Sequence, residues 1–185
     1  MSYCTIAPGH PLHGPYHDRE YGFPVSDESS LFERLVLEIN QAGLSWATML
    51  RKRDAFRAAF SGYAVDRIAE FAEADVARLM GDAGIVRNRL KIAAVIDNAR
   101  RVRELRTAHG SFAGWLDAHH PRPLDEWVKL FRRTFRFTGG EIVGEFLMSL
   151  GYLQGAHVPD CPAYHRIAAL MPPWADPVKI PQETG

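Results

Sequence analysis

Asp27-Glu28-Ser29-Ser30-Leu31-Phe32-Glu33-Arg34-Leu35-Val36-Leu37-Glu38-Ile39-Asn40-Gln41-Ala42-Gly43 is the stretch that decides the fold class. Its acidic, hydroxyl-rich opening can accept hydrogen bonds from the orphan N–H groups of a helix start. Leu31, Leu35, Ile39 and Ala42 then recur at helical spacing, and Ala42-Gly43 closes the run because glycine adopts the left-handed backbone that ends a helix. The same period extends in both directions. Ser45 can cap a segment carrying Trp46, Met49, Leu50, Phe56 and Phe60, and short helices are expected over 65–71 and 74–80. A long helix over 88–108 would turn Ile92, Val95, Ile96, Ala99, Val102 and Leu105 inward. His119-His120-Pro121-Arg122-Pro123 interrupts the pattern, and helices over 124–133 and 140–150 flank Thr134-Phe135-Arg136-Phe137-Thr138-Gly139. No alternating strand pattern and no internal repeat is found, so the expected class is all-α. Pro172, Pro173, Pro177 and Pro181 mark 172–185 as an extended, loosely held tail on a single domain spanning 1–171.

The 185 residues, 46% hydrophobic and 24% charged, suit one well-cored globular domain. No apolar run approaches the roughly 18 residues that read as a membrane span. Met1-Ser2-Tyr3-Cys4 is not a basic stretch followed by an apolar core, so no secretory signal is expected and the cytoplasm is the default compartment. Net charge is zero, which by itself predicts no polyanionic partner. Its distribution is uneven: seven basic residues (Arg87, Arg89, Lys91, Arg100, Arg101, Arg103, Arg106) stand against Asp97 and Glu104, and Lys129, Arg132, Arg133 and Arg136 form a second cluster. These are either solvated helix faces or a phosphate-binding footprint.

Three constellations carry chemistry. Glu38 shares the stripe of Leu31, Leu35 and Ala42, so a carboxylate sits in or beside an apolar seam, where an ionised group is costly unless paired. It either pairs with Arg34 four residues back or serves as an acid in a pocket. Trp46 follows a tight Gly43-Leu44-Ser45 turn that can fold the indole towards Glu38; a flat aromatic beside a carboxylate suits a planar cationic ligand, though an isolated Trp is as readily core. His157 and Cys161 are spaced to share a metal, and Cys4 and His17 could complete a closed tetrahedral Cys2His2 set as in structural zinc sites; unrelated burial is the alternative, and a cytosolic disulfide between two such distant cysteines is not expected. In the third, Arg136, Thr138, Gly139 and Gly140 stand where a short turn enters a helix, a place where backbone N–H groups can approach a phosphate. An ordinary helix–helix connection reads the same way.

Tyr16-His17-Asp18-Arg19-Glu20-Tyr21-Gly22, Leu37-Glu38-Ile39-Asn40-Gln41-Ala42-Gly43-Leu44-Ser45-Trp46 and Asp82-Ala83-Gly84-Ile85-Val86-Arg87-Asn88-Arg89 together resemble the 3-methyladenine DNA glycosylase I family, and the likeness runs from Cys4 to Cys161. The resemblance implies an all-α helix-hairpin-helix fold, a structural Zn2+ held by Cys4, His17, His157 and Cys161 near the joined termini, and a base pocket formed by Glu38, Tyr16, Trp46 and Tyr21. It further implies a DNA-contacting hairpin over 135–140, double-stranded alkylated DNA as partner, and a monomer. Departures are visible: Ile6 where an aromatic is usual, His13 and Tyr21 where Tyr and Trp are usual, and Thr134 at the hairpin glycine. The expected reaction is hydrolysis of the N-glycosidic bond of 3-methyladenine, Glu38 selecting the cationic base. Two other readings are a DNA-binding module of this fold with altered or lost chemistry, and a zinc-dependent hydrolase, which four ready ligands disfavour.

Overall fold

The computed structural model describes residues 2–176, and every regular element among them is helical. Helices α1 (Tyr3–Ile6) and α2 (Gly14–Arg19) lead into α3 (Glu28–Gln41). Asp27 caps α3 by accepting from the Ser30 N–H, and Gly43 (φ 85°) turns the chain out of it. The sequence suggested one apolar stripe on α3. Instead, every residue from 31 to 40 is buried, Glu33, Arg34, Glu38 and Asn40 included: α3 is the central helix, wrapped on all sides. Its off-stripe polar groups are met from neighbouring elements. Arg53 on α4 (Trp46–Ala59) donates to Glu33 and to both oxygens of Glu20, each at 2.7 Å.

Ser45 caps α4 as anticipated, accepting from the Thr48 N–H. Next come α5 (Val65–Ala69), α6 (Glu73–Gly81) and α7 (Arg89–His109), whose N-cap Asn88 accepts from two backbone N–H groups. Helices α8 (Phe112–His119), α9 (Leu124–Thr134), α10 (Gly140–Ser149) and α11 (Pro162–Ala169) complete the set. Four of these, α1, α2, α8 and α11, were not anticipated. Each has eight residues or fewer, too short for a hydrophobic period to declare itself.

The core around α3 continues into an aromatic cluster of Phe112, Trp115, Trp127, Phe131, Phe135 and Phe146, which fastens α8, α9 and α10 together. This packing fixes where α10 lies against α3 and hence the cleft between them. The basic run on α7 is mostly structural. Arg100 donates to the carbonyls of Ala69 and Phe71, Arg106 pairs with Glu28 and Asp66, and Arg101 holds Glu104 and the Thr134 carbonyl. Lys91 is buried and donates to the carbonyls of Asn40 and Ala42, satisfying the end of α3.

The tail is less loose than its prolines implied, as far as it is described. Pro172 is buried, the Trp174 N–H donates to the Gly151 carbonyl, and the Trp174 ring stacks on Tyr164; Pro177 and Pro181 lie outside the described residues. No helix among those described is long and apolar enough to cross a membrane.

Candidate functional site

A cleft of about 710 Å³ opens between α2, the end of α3, the start of α4 and α10. Tyr3, Tyr16, Tyr21 and Trp46 supply its aromatic walls, and Glu38, Glu141 and Glu145 its carboxylates; among the described residues no Lys, Arg or His lines it. Glu38 is only 5% exposed. The intrahelical pair with Arg34 does not form: Arg34 donates instead to the Ser149 and Glu20 carbonyls and to Glu20 Oε2. Burial, reinforced by the negative charge of Glu145 and opposed by Arg34, pushes Glu38 up to about 8. A buried carboxyl whose protonated form is favoured in an aromatic cleft is poised to ionise when a cation arrives beside it.

The tight turn does fold Trp46 back, and its ring centroid lies 5.0 Å from that of Tyr16. The Tyr16 hydroxyl and the Trp46 indole N–H are both buried without a hydrogen bond of ordinary geometry. Such atoms are uncommon in native interiors, and the Tyr16 hydroxyl is one that a ligand in the cleft can bond. Arg34 lies over the Tyr16 ring at 5.2 Å, holding it in place. Tyr21 is buried and donates its hydroxyl to Glu145 Oε2 at 2.8 Å. Of the departing positions, Ile6 is 51% exposed and does not line the cleft; α1 contributes Tyr3 instead. His13 makes a 3.1 Å hydrogen bond with the Tyr3 hydroxyl, so it acts by steadying the substitute aromatic. Burial raises the Tyr3 phenol to about 12.

Sequence reasoning missed Tyr3, Gln41 and Glu145 as lining residues. Glu145 sits three residues after Ile142 among the apolar residues of α10, the same kind of signal that singled out Glu38.

Cys4, His17, His157 and Cys161 converge, with one ligand atom from each lying within 4.8 Å of all the others. Cys4 Sγ and Cys161 Sγ lie 3.5 and 3.6 Å from His157 Nδ1, and Cys161 Sγ lies 3.7 Å from His17 Nε2. Zn–S and Zn–N bonds of about 2.3 and 2.05 Å at tetrahedral angles give an S···N edge of about 3.6 Å, so these distances fit. The outer nitrogens are also engaged: His17 Nδ1 is 2.7 Å from Asp18 Oδ1, and His157 Nε2 is 2.7 Å from the Tyr21 carbonyl. Such partners fix the tautomer of a metal-ligating His. Both cysteines are free of disulfide.

In the 134–140 turn the left-handed residue is Phe137 (φ 61°), 42% exposed, and neither Gly139 nor Gly140 has positive φ. An added Cβ at Gly139 would meet nothing, and one at Gly140 only Val128 at 4.0 Å. The fold therefore has no internal need of glycine there; what the glycines provide is bare backbone N–H at the start of α10. Thr138 is buried, its hydroxyl donating to the Phe135 carbonyl. Arg136 is exposed and paired with Asp97 at 3.1 Å. Asn98, also missed, brackets this turn from α7, accepting from the Arg136 N–H at 2.7 Å and donating to its carbonyl at 3.0 Å. A polar residue amid the inward face Val95, Ala99 and Val102 was its signal.

Fold and site define an all-α protein with an acidic, aromatic cleft and a Cys2His2 cluster that brings N-terminal and C-terminal segments together. The family model described as methyladenine glycosylase matches residues 6–129. The chain is 35% identical to DNA-3-methyladenine glycosylase 1 of Escherichia coli, across 89% of this chain and 97% of that protein. It is 32% identical to DNA-3-methyladenine glycosylase of Haemophilus influenzae, across 80% and 89%. A solved variant of 3-methyladenine DNA glycosylase I in complex with 3-methyladenine superposes with a TM-score of 0.78 at 30% identity, covering 88% of this chain and 97% of that one. The chain belongs to the 3-methyladenine DNA glycosylase I family.

Proposed function

We propose that the chain is a monofunctional glycosylase that hydrolyses the N-glycosidic bond of 3-methyladenine in double-stranded alkylated DNA and leaves an abasic site. The observation that carries this reading is Glu38: a buried carboxylate with no ion pair among the described residues, in an aromatic cleft, in a chain of this family. A solved relative holds 3-methyladenine.

The base must leave the stack, at a cost that is lower where pairing is already damaged. Methylation at N3 places positive charge on the adenine and weakens the C1′–N9 bond before any protein group acts. The cleft then needs to select and hold that cation. Glu38 accepts from the adenine edge, and its charge, disfavoured in the empty cleft, becomes favoured beside the cationic ring. Tyr16, Trp46 and Tyr21 bound the ring, with the unpartnered Tyr16 hydroxyl available to its periphery. Water attacks C1′ as the C1′–N9 electron pair passes to the base, which departs neutral; the proton from water goes to solvent. Among the described residues no lysine lines the cleft to form a Schiff base with the sugar, consistent with simple hydrolysis.

Cys4, His17, His157 and Cys161 would hold a structural Zn2+, which when bound contributes folding free energy by cross-linking α1, α2 and the entrance to α11. The α9–α10 connection serves as the helix-hairpin-helix element. Its open backbone at Gly139 and Gly140 meets a DNA phosphate, helped by the partial positive charge of the α10 start and by Arg136. One chain carries the whole cleft, which supports a monomer; the reading places it with cellular DNA in the cytoplasm.

Release of bases from methylated duplex DNA tests the reading. Wild type should free 3-methyladenine, and Glu38→Gln should slow this about ten- to hundredfold, the worth of a charged hydrogen bond. Release by Glu38→Gln at the wild-type rate would remove Glu38 from its role; no release by wild type would leave a DNA-binding module without base-excision chemistry.

A further inference from the structure

The 134–140 hairpin and the cleft are built on different elements, and one helix is bonded to both. Lys91 and Asn98 stand seven residues apart on α7, nearly two turns, so they share a face about 10 Å apart along the axis. At one end Asn98 brackets the hairpin, accepting from the Arg136 N–H and donating to the Arg136 carbonyl. At the other, the buried Lys91 Nζ donates to the carbonyls of Asn40 and Ala42 at 2.9 and 2.7 Å. Those carbonyls stand where α3 gives way to the turn, and Gln41, Ala42, Gly43, Leu44 and Trp46 from this stretch all line the cleft. The hairpin also reaches Lys91 directly. Its Nζ lies 5.9 Å from the Phe137 ring centroid, within cation–π range. Phe137 holds a left-handed backbone (φ 61°), which a residue other than glycine keeps only where its surroundings impose it.

We propose that Lys91 is a positioning residue that couples the two places, so that a duplex held at the hairpin and a base held in the cleft bind cooperatively. The proposal rests on the glycosylase reading above, its hairpin contact with DNA included. A base drawn out of the stack must enter a pocket set at the right span from the grip on its strand, and a small misplacement there is costly in rate. A duplex seated on the hairpin orders Phe137 against the ammonium. Lys91 has two of its three N–H groups committed to the Asn40 and Ala42 carbonyls, so ordering it orders the turn and Trp46 with it. The second ligand then meets a turn whose freedom is already lost, and binds more tightly for that reason. Coupling of this kind is reciprocal: the base must tighten the duplex by the same factor. Lys91 itself is not among the cleft-lining residues; it acts through the two carbonyls.

The experiment titrates free 3-methyladenine calorimetrically into wild type, Lys91→Met and Phe137→Leu, each alone and with a saturating duplex that carries a tetrahydrofuran abasic-site analogue. The ratio of the two affinities is the coupling factor. Wild type should bind the base at least about fivefold more tightly with the duplex present, and both variants should bring the factor to within about twofold of one. A merely structural role for Lys91 would weaken base binding alike with and without the duplex and leave the factor as it is. Phe137 is partly exposed and its replacement keeps every Lys91 hydrogen bond, so Phe137→Leu decides the matter where Lys91→Met does not fold. A wild-type factor of one, or a wild-type factor retained in either folded variant, overturns the coupling and leaves the glycosylase reading standing. Release of bases from methylated duplex, measured on wild type in parallel, separates the two: no 3-methyladenine freed overturns both.

Discussion

Glu38→Gln should weaken the chemistry and strengthen the fold, by an amount that grows with pH. Glu38 ionises at about 8 in the folded chain against an ordinary 4.5. Below 4.5 the carboxyl is protonated whether folded or unfolded, and no penalty exists. As pH rises, the unfolded chain loses the proton first, and folding must retain a proton or bury a charge, so stability falls between about 4.5 and 8 and then levels off. At 1.36 kcal/mol per pH unit of separation, the penalty is about 1 kcal/mol at pH 5, about 3 at pH 7 and nearly 5 at pH 9. Glutamine carries no such penalty. Urea unfolding of both proteins at pH 5, 7 and 9 should therefore show the variant gaining stability in that progression. A stability difference that stays flat, or shrinks, as pH rises would refute the argument that the cleft holds its carboxylate against burial.

Other outcomes follow from single contacts. Cys161→Ser removes one arm of the Cys2His2 cluster and should abolish a stoichiometric zinc by elemental analysis and lower Tm; a zinc-free variant as stable and active as wild type would sink the structural-metal assignment. Asn98→Ala strips both hydrogen bonds from Arg136 and should cost about 1–3 kcal/mol in denaturant unfolding, with weaker duplex binding in a salt titration. Lys91→Met leaves the Asn40 and Ala42 carbonyls without their donor; KM for methylated DNA should rise as the turn carrying Trp46 loosens, alongside a loss of about 1–3 kcal/mol in stability. Gly139→Ala meets no neighbour inside the protein, so its Tm should stay within about a degree or two of wild type while DNA affinity falls; unchanged affinity would remove this backbone from the interface.

What the sequence determined by itself is the part of the protein written in local pattern. The Asp27 and Ser45 caps, the period of α3 and α7 and the turn at Gly43 were all legible, because capping and helical spacing depend on residues within a turn or two of one another. The four convergent metal-ligand candidates were legible as residue types, and the family likeness named their partners; their 3.5–3.7 Å edges exist only because α1, α2 and α11 meet in space. Tertiary structure alone decided the environment of each site residue. It turned Arg34 away from Glu38 towards Ser149 and Glu20, replaced Ile6 by Tyr3 at the cleft, and set Glu145 across from Glu38 with Tyr21 holding it. Burial and facing charge, which push Glu38 up to about 8, bring in Glu145 from 107 positions away in the chain. No local pattern carries that information, since the energy of a buried carboxylate depends on everything that surrounds it and not on its neighbours in the chain.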